Sequence, residues 1–294
     1  MNLNKKAGTK NYHKEKIIEN FFLLLACISI VAVVIICIFL FANGLPAIFE
    51  IGVKEFLLGK KWRPGEELYG IFPMIVGSIY VTMGAMFIGV PIGILTAVFM
   101  AKICPKKLYK ILKPAVELLA GIPSIVYGFF ALVVIVPMVR KLFPGNGLSL
   151  LTACLLLGMM ILPTIIGVAE SAIRAVPEAY YEGALALGAT RERSLFFVVL
   201  PAAKSGISAG VVLGIGRAIG ETMAVNMVAG NQKIIPESLF SGVRTLTSNI
   251  VLEMGYAQDL HREALIANGV ILFLFILIIN GVFFLLKGKK GGIA

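Results

Sequence analysis

The chain has 294 residues, 59% of them hydrophobic and only 15% charged, with a mean hydropathy of +0.93. Soluble domains carry about a quarter charged residues and could not hide this much apolar surface, so lipid is the solvent the sequence is built for. A formal charge of +11 would suggest a polyanionic partner in a soluble protein, but the basic residues sit in short segments beside apolar runs. Membrane topology accounts for them, and nucleic acid is not implied.

The N-terminus places Lys5, Lys6, Lys10, Lys14 and Lys16 ahead of an apolar run over residues 21–42. That run exceeds the roughly 7–15 residues of a secretory signal core and reads as an uncleaved anchor. Further apolar runs cover residues 71–100, 115–139, 149–168, 207–229 and 264–286, each near or above the roughly 20 residues a bilayer crossing needs. Six spans put both termini on one side. The second run is too long for one perpendicular crossing and predicts a tilt, or a break near Pro91. Seventeen Lys and Arg residues fall in the N-tail, second loop, fourth loop and C-tail, against nine on the other side. The first set is cytoplasmic by the positive-inside rule. This leaves outside a first loop of about 28 residues with the only tryptophan, Trp62, and a last loop over residues 230–263.

His13 and His261 lie in polar segments far apart and read as solvated surface histidines. Cys27, Cys37, Cys104 and Cys154 form no C-x-x-C pair, so neither a metal site nor a disulfide framework is indicated. Glu117 is expected near the cytoplasmic start of the third span. The helix dipole favours an acid there, and a gating role is the alternative.

The fourth loop carries the densest signal. In VPEAYYEGALALGATRERSLFFVVLPAAKSG, Pro177 suits the first turn of a helix, and Glu178 and Glu182 favour its positive end. A short helix, a glycine at Gly188 and a second short helix closing at Leu200 and Pro201 is the simplest reading. Such a hairpin presents a compact apolar and acidic face to something in the cytoplasm, the alternative being an amphipathic helix lying on the membrane. The chain carries no G-x-x-x-x-G-K-[ST] loop, and Gly214, Gly216 and Gly220 miss the G-x-G-x-x-G spacing.

In the fifth span, GISAGVVLGIGRAIGETMAV repeats small residues four apart, at Gly206, Gly210 and Gly214 and again at Gly216 and Gly220. Such faces allow close helix packing. At about 100° per residue from Gly206, Gly210 falls near 40°, Gly214 near 80°, Arg217 near 20° and Glu221 near 60°, so glycines and charges share one face. Arg217 lies roughly 16 Å into the span, where a charge costs about 2.5–3.5 kcal/mol and must face protein or water. One reading is an i,i+4 pair that neutralises itself. The other is that Arg217 lines an anion path, its forked donors matching tetrahedral oxygens, with Glu221 tuning it or accepting a proton-borne hydrogen bond from phosphate.

The fourth loop resembles that of the ABC importer permeases, whose pattern is E-A-A, three residues, G, nine residues, I, one residue, L-P. Glu182, Gly183 and Ala184, then Gly188, then Val198, Leu200 and Pro201 stand at those spacings, with Gly183 for alanine and Val198 for isoleucine. The resemblance implies a coupling helix seated on a separate ATPase. ELLAGIPSIVYGFF (117–130), LGIGRAIGETMAV (213–225) and VRTLTSNIVLEMG (243–255) are similar to the PstC-type permeases of phosphate importers, and the likeness runs over nearly the whole chain. It implies an all-α membrane protein of six transmembrane helices with the MetI-like bundle: N-tail 1–20, permease domain 21–287 (core 71–287, coupling loop 170–204) and C-tail 288–294. It further implies a bacterial cytoplasmic membrane location, a PstA-type permease partner, a PstB-type ATPase dimer carrying ATP and Mg, a PstS-type binding protein, inorganic phosphate as cargo, and no cofactor on this chain. The sister permease, a permease for another oxyanion such as phosphonate or molybdate, and a secondary anion transporter are the alternatives. A membrane enzyme would need paired acids, His ligands or an activated nucleophile, which the spans do not offer.

Overall fold

The computed structural model describes residues 4–288 and is helical almost throughout. Helix α1 (Asn4–Ile51) contains a 34-residue apolar stretch, Ile18–Ile51, most of whose side chains are turned to the surroundings, with Ala47 and Ile48 buried near its end. It leans on the last helix, α14 (Asp259–Gly288), at a notch: a Cβ on Gly44 would come within 2.7 Å of Val270 and 3.0 Å of the Ala267 backbone. Phe41 and Phe273 meet edge to face beside it. The C-tail expected at 288–294 lies outside the described residues beyond Gly288, as does the side chain of His13.

The loop between the first two spans is shorter than the expected 28 or so residues, because α1 runs on to Ile51. It contains helix α2 (Val53–Leu58) and a two-stranded hairpin, β1 (Trp62–Arg63) and β2 (Leu68–Tyr69), paired Trp62 to Tyr69. Phe56, Trp62, Tyr69, Ile71 and Leu246 are buried together here, an apolar cap over the outer end of the bundle.

Helix α3 (Phe72–Val98) passes through Pro91 without interruption and ends in a wide π-type turn, Phe99–Ile103. The expected break near Pro91 is absent; the 32 apolar residues Phe72–Ile103 form one long rod of about 48 Å. Helix α4 (Lys106–Gly121) then stands apart from the span that follows, α5 (Ser124–Phe130), a wide turn Ala131–Ile135 and α6 (Val136–Leu142). The third span therefore starts at Ser124 rather than near residue 115. Ile122 and Pro123 both take extended backbone, and proline at 123 has no N–H to continue the ladder.

Helix α7 (Leu150–Arg174) begins at Ser149, whose hydroxyl accepts the Thr152 N–H at 3.3 Å, and forms the buried axis of the bundle against α3. The hairpin of the fourth loop follows: α8 (Glu178–Ala186), a turn at Gly188, α9 (Arg191–Ser194), a wide turn Leu195–Val199 and α10 (Leu200–Ala202). Helix α11 (Lys204–Gly220) meets this segment at 71°. It stops at Gly220; Glu221 is extended (φ −71°, ψ 124°), and α12 (Met223–Val228) resumes the climb. A loop then turns at Gly230, which bridges Val243, and helix α13 (Leu246–Glu253) dips back into the outer half of the bundle before α14. Among the described residues five helices are long and apolar enough to cross a membrane, with a sixth crossing if Arg191–Ala202 and Lys204–Gly220 count as one bent span. That last span is interrupted at Glu221, beyond which α12 continues it.

Candidate translocation path and coupling site

Three of the five small residues named for packing face α7. An added Cβ on Gly206 would lie 2.3 Å from Ala172 Cβ, on Gly210 3.2 Å from Val168, and on Gly214 2.9 Å from Ile165. A methyl group at any of them would displace one helix from the other. Gly220 is different: nothing lies within 4 Å of its Cβ position, so it packs no helix among the described residues.

The end of α11 at Gly220 also changes the geometry of the charged residues. Arg217 is thirteen residues, about 20 Å, from the start of α11 and within a turn of its end, so it sits beyond mid-helix toward Glu221. Glu221 is off the helix altogether, and the helical angle that aligned it with Arg217 does not apply. No Arg217–Glu221 ion pair forms among the described residues. Arg217 Nη1 donates to Thr164 Oγ1 of α7 at 3.3 Å. Glu221 Oε1 accepts the Ala224 N–H at 3.2 Å, capping α12, while its carbonyl oxygen accepts from Thr247 Oγ1 of α13 at 3.3 Å. Both side chains are half-buried, so the guanidinium keeps donors free in an apolar setting.

At the opposite end of the bundle, the hairpin turns at Gly188 with φ +85°, a left-handed conformation that glycine adopts without strain. Beside it Leu187 is 92% exposed. Glu182 and Gly183 are exposed and Ala184 and Leu200 partly covered, with Pro201 at the surface. The hairpin is held by an apolar seam of Ile173, Val176, Leu195, Val199 and Ala203 against the ends of α3 and α7. Lys102 Nζ joins α3 to Glu178 Oε2 of α8 at 2.5 Å. Glu117 lies in the last half of α4, exposed, 3.8 Å from Lys113 Nζ. It is not at a helix N-terminus, so the dipole argument for it lapses.

Two buried carboxylates escaped the sequence reading. Glu170, with its side chain 2% exposed, accepts from Tyr109 Oη (2.7 Å) and Lys113 Nζ (2.9 Å) of α4 and from Arg174 Nε (2.8 Å). Arg174 Nη2 in turn donates to the Met100 carbonyl at 2.7 Å, tying α3, α4 and α7 into one joint above the hairpin. Glu253, 3% exposed, accepts from Trp62 Nε1 (2.8 Å), Lys233 Nζ (2.6 Å) and Arg244 Nη1 (2.6 Å), with His261 Nε2 at 3.1 Å. Burial pushes this carboxyl up, but the Lys233, Trp62 and Arg244 donors outweigh it and hold it down to about 2. His261 is thereby no solvated histidine: only 14% of its side chain is exposed, packed among Trp62, Tyr69 and Tyr256. The only signals in the sequence are a lone acid near the end of an apolar run in each case, and the i,i+4 spacing of Glu170 and Arg174. No group of His, Cys, Asp and Glu among the described residues is arranged to hold a metal ion.

Comparison with known proteins places this architecture. The chain is 43% identical over 266 residues to a probable ABC transporter permease protein, YqgH, of Bacillus subtilis, covering 87% of this chain and 86% of that one. It is 38% identical to the phosphate transport system permease protein PstC of Pasteurella multocida, over 75% of each chain. It is 32% identical to a probable PstC of Methanocaldococcus jannaschii, over 94% of this chain and 95% of that one. Among solved structures, a bacterial ABC transporter involved in the import of the acidic polysaccharide alginate matches with a TM-score of 0.62 at 18% identity, over 91% of this chain and 97% of that one. The inward-facing MetNI methionine ABC transporter matches with a TM-score of 0.56 at 21% identity, over 76% and 96%. These two bear on the fold, that of ABC importer permeases. The family model for binding-protein-dependent transport system inner membrane components matches residues 89–290, from within α3 through the hairpin and the interrupted span, and the chain belongs to that family.

Proposed function

We propose that this chain is the phosphate-translocating permease subunit of an ATP-driven importer, the PstC-type half of a heterodimer with a PstA-type permease. The observation that carries the substrate is the similarity of most of the chain to phosphate transport permeases. It is supported by a guanidinium that has no acidic partner among the described residues, at the interrupted span. A PstB-type ATPase dimer supplies ATP and Mg and seats the hairpin through Leu187 and the Glu182 face. A PstS-type protein delivers inorganic phosphate from outside, and both termini of this chain are cytoplasmic.

In this reading the chain does no covalent chemistry. Arg217 presents forked donors to phosphate oxygens, and the Glu221 carboxylate accepts a hydrogen bond from the proton that phosphate keeps near neutral pH, which sulfate lacks. Closure of the ATPase dimer pulls on the hairpin; the Lys102–Glu178 pair and the Glu170 joint pass that pull to α3, α4 and α7. The test is reconstitution with the three partner types and ATP-dependent uptake of labelled phosphate in competition with sulfate and arsenate. Arg217→Ala is expected to abolish uptake, and Glu221→Gln to lower it with weaker discrimination against sulfate. Unchanged uptake by both variants removes the proposed path, and sulfate competing as well as unlabelled phosphate removes the substrate.

A further inference from the structure

We propose that Glu253 is a positioning residue: it fixes α13 as a strut between the extracytoplasmic loops and the Glu221 break of the interrupted span. The proposal rests on the reading above only for its consequence in transport. A carboxylate at the C-terminal residue of a helix faces the negative end of the dipole, and burying it is costly. Local helix stability therefore gives no reason for an acid here. The reason lies in its partners, which come from four separate segments: Trp62 from the outer hairpin, Lys233 from the loop after α12, Arg244 from the approach to α13, and His261 from α14. Arg244 is itself braced, its Nε donating to the Asn231 carbonyl and its Nη1 to Asn249 Oδ1, each at 3.1 Å.

The other end of α13, seven residues or about 10 Å away, is equally tied. The Leu246 N–H donates to Ser78 Oγ of α3 at 2.9 Å, Asn268 Nδ2 of α14 donates to the Leu246 carbonyl at 3.1 Å, and Thr247 Oγ1 donates to the Glu221 carbonyl. Leu246, Thr247, Ser248 and Asn249 are all buried, so the rod slides on neither neighbour without breaking one of these bonds. A displacement of the outer loops that moves the Glu253 cluster therefore moves the Glu221 carbonyl with it. Lys233, with 36% of its side chain exposed, is the member of the cluster that reaches the surface where such a displacement would begin.

The experiment uses the assembled complex in lipid nanodiscs. Two readings are taken, uptake turnover at saturating phosphate-loaded binding protein and amide hydrogen exchange. Glu253→Gln is expected to lower turnover ten-fold or more and to speed exchange in Leu246–Glu253 and also in Met223–Val228, on the far side of the Glu221 break. Thr247→Val is expected to reproduce the α12 effect, and the double variant to lose no more than a further two-fold beyond Glu253→Gln, because both act through one rod. Turnover within two-fold of the unaltered complex, losses that multiply, or faster exchange confined to the outer loops overturns the proposal. Should Glu253→Gln fail to assemble, Glu253→Asp keeps the charge with a shorter reach and is judged by the same three outcomes. If Arg217→Ala and Glu221→Gln leave uptake unchanged, the path reading falls, while exchange in Met223–Val228 still decides whether the strut exists.

Discussion

Replacing Gly206 by alanine sets a methyl carbon 2.3 Å from Ala172 Cβ and 3.5 Å from Ala172 Cα. Carbon atoms rest at about 3.5–4.0 Å, so α11 must lift from α7 by roughly 1 Å or tilt along its whole length. Such overpacking costs about 1–3 kcal/mol. Alanine also favours a helix over glycine by about 0.5–1 kcal/mol. The clash outweighs the propensity gain, and Gly206→Ala should destabilise by about 1–2 kcal/mol net. At Gly216 and Gly220 nothing lies within 4 Å of the added carbon, so only the gain remains and the sign reverses. The assay is the midpoint of thermal unfolding of the purified chain in detergent, where each kcal/mol is worth about 2–4 °C in a chain of this size class. A Gly206→Ala protein as stable as the original, or Gly216→Ala and Gly220→Ala losses equal to that of Gly206→Ala, would refute the assignment of the packing face.

Trp62 is the only tryptophan and donates to Glu253, so its emission reports the outer network directly. Because the folded carboxyl sits near 2, below its ordinary 4.5, the network is at full strength above pH 4.5 and fails only as pH falls through about 2. Emission should shift to the red as pH falls from about 4.5 toward 2; emission unchanged down to pH 2 would contradict this. Leu187→Glu, at a site already 92% exposed, should leave the fold within about 0.5 kcal/mol of the original. It should nonetheless weaken capture of the ATPase subunit by about 30-fold, the effect of losing a 2 kcal/mol anchor; undiminished co-purification would remove Leu187 from that interface.

The spans were legible because hydropathy is a local property, and the hairpin because its punctuation is local too: Pro177 opens α8 and Gly188 turns the chain. The start of the third span was readable in principle, since Gly121 and Pro123 mark a break that the apolar run conceals. The stop at Gly220 was not. No proline follows it, and what receives the freed backbone is Thr247, 26 residues on. Helical periodicity carried Glu221 onto a face it does not share. The buried acids lay further out of reach, because Glu253 is explained by Trp62, 191 residues earlier, and Glu170 by Tyr109 and Lys113 on a different helix. Hydropathy assigns such residues to the surface or the membrane edge, and only tertiary structure supplies the partners.

The interruption at Glu221 gives the two charged groups independent carriers. Two side chains on one rigid rod keep a constant spacing however the rod tilts, and whatever they hold together they hold with unchanging strength. Arg217 rides on α11, which is wedged against α7, whereas Glu221 rides with α12 and α13. A swivel of a few degrees at the joint opens or narrows the gap between guanidinium and carboxylate. In the path proposed above, the same two groups serve as a clasp that grips when the halves approach and lets go when they part, with no need to rotate the whole crossing.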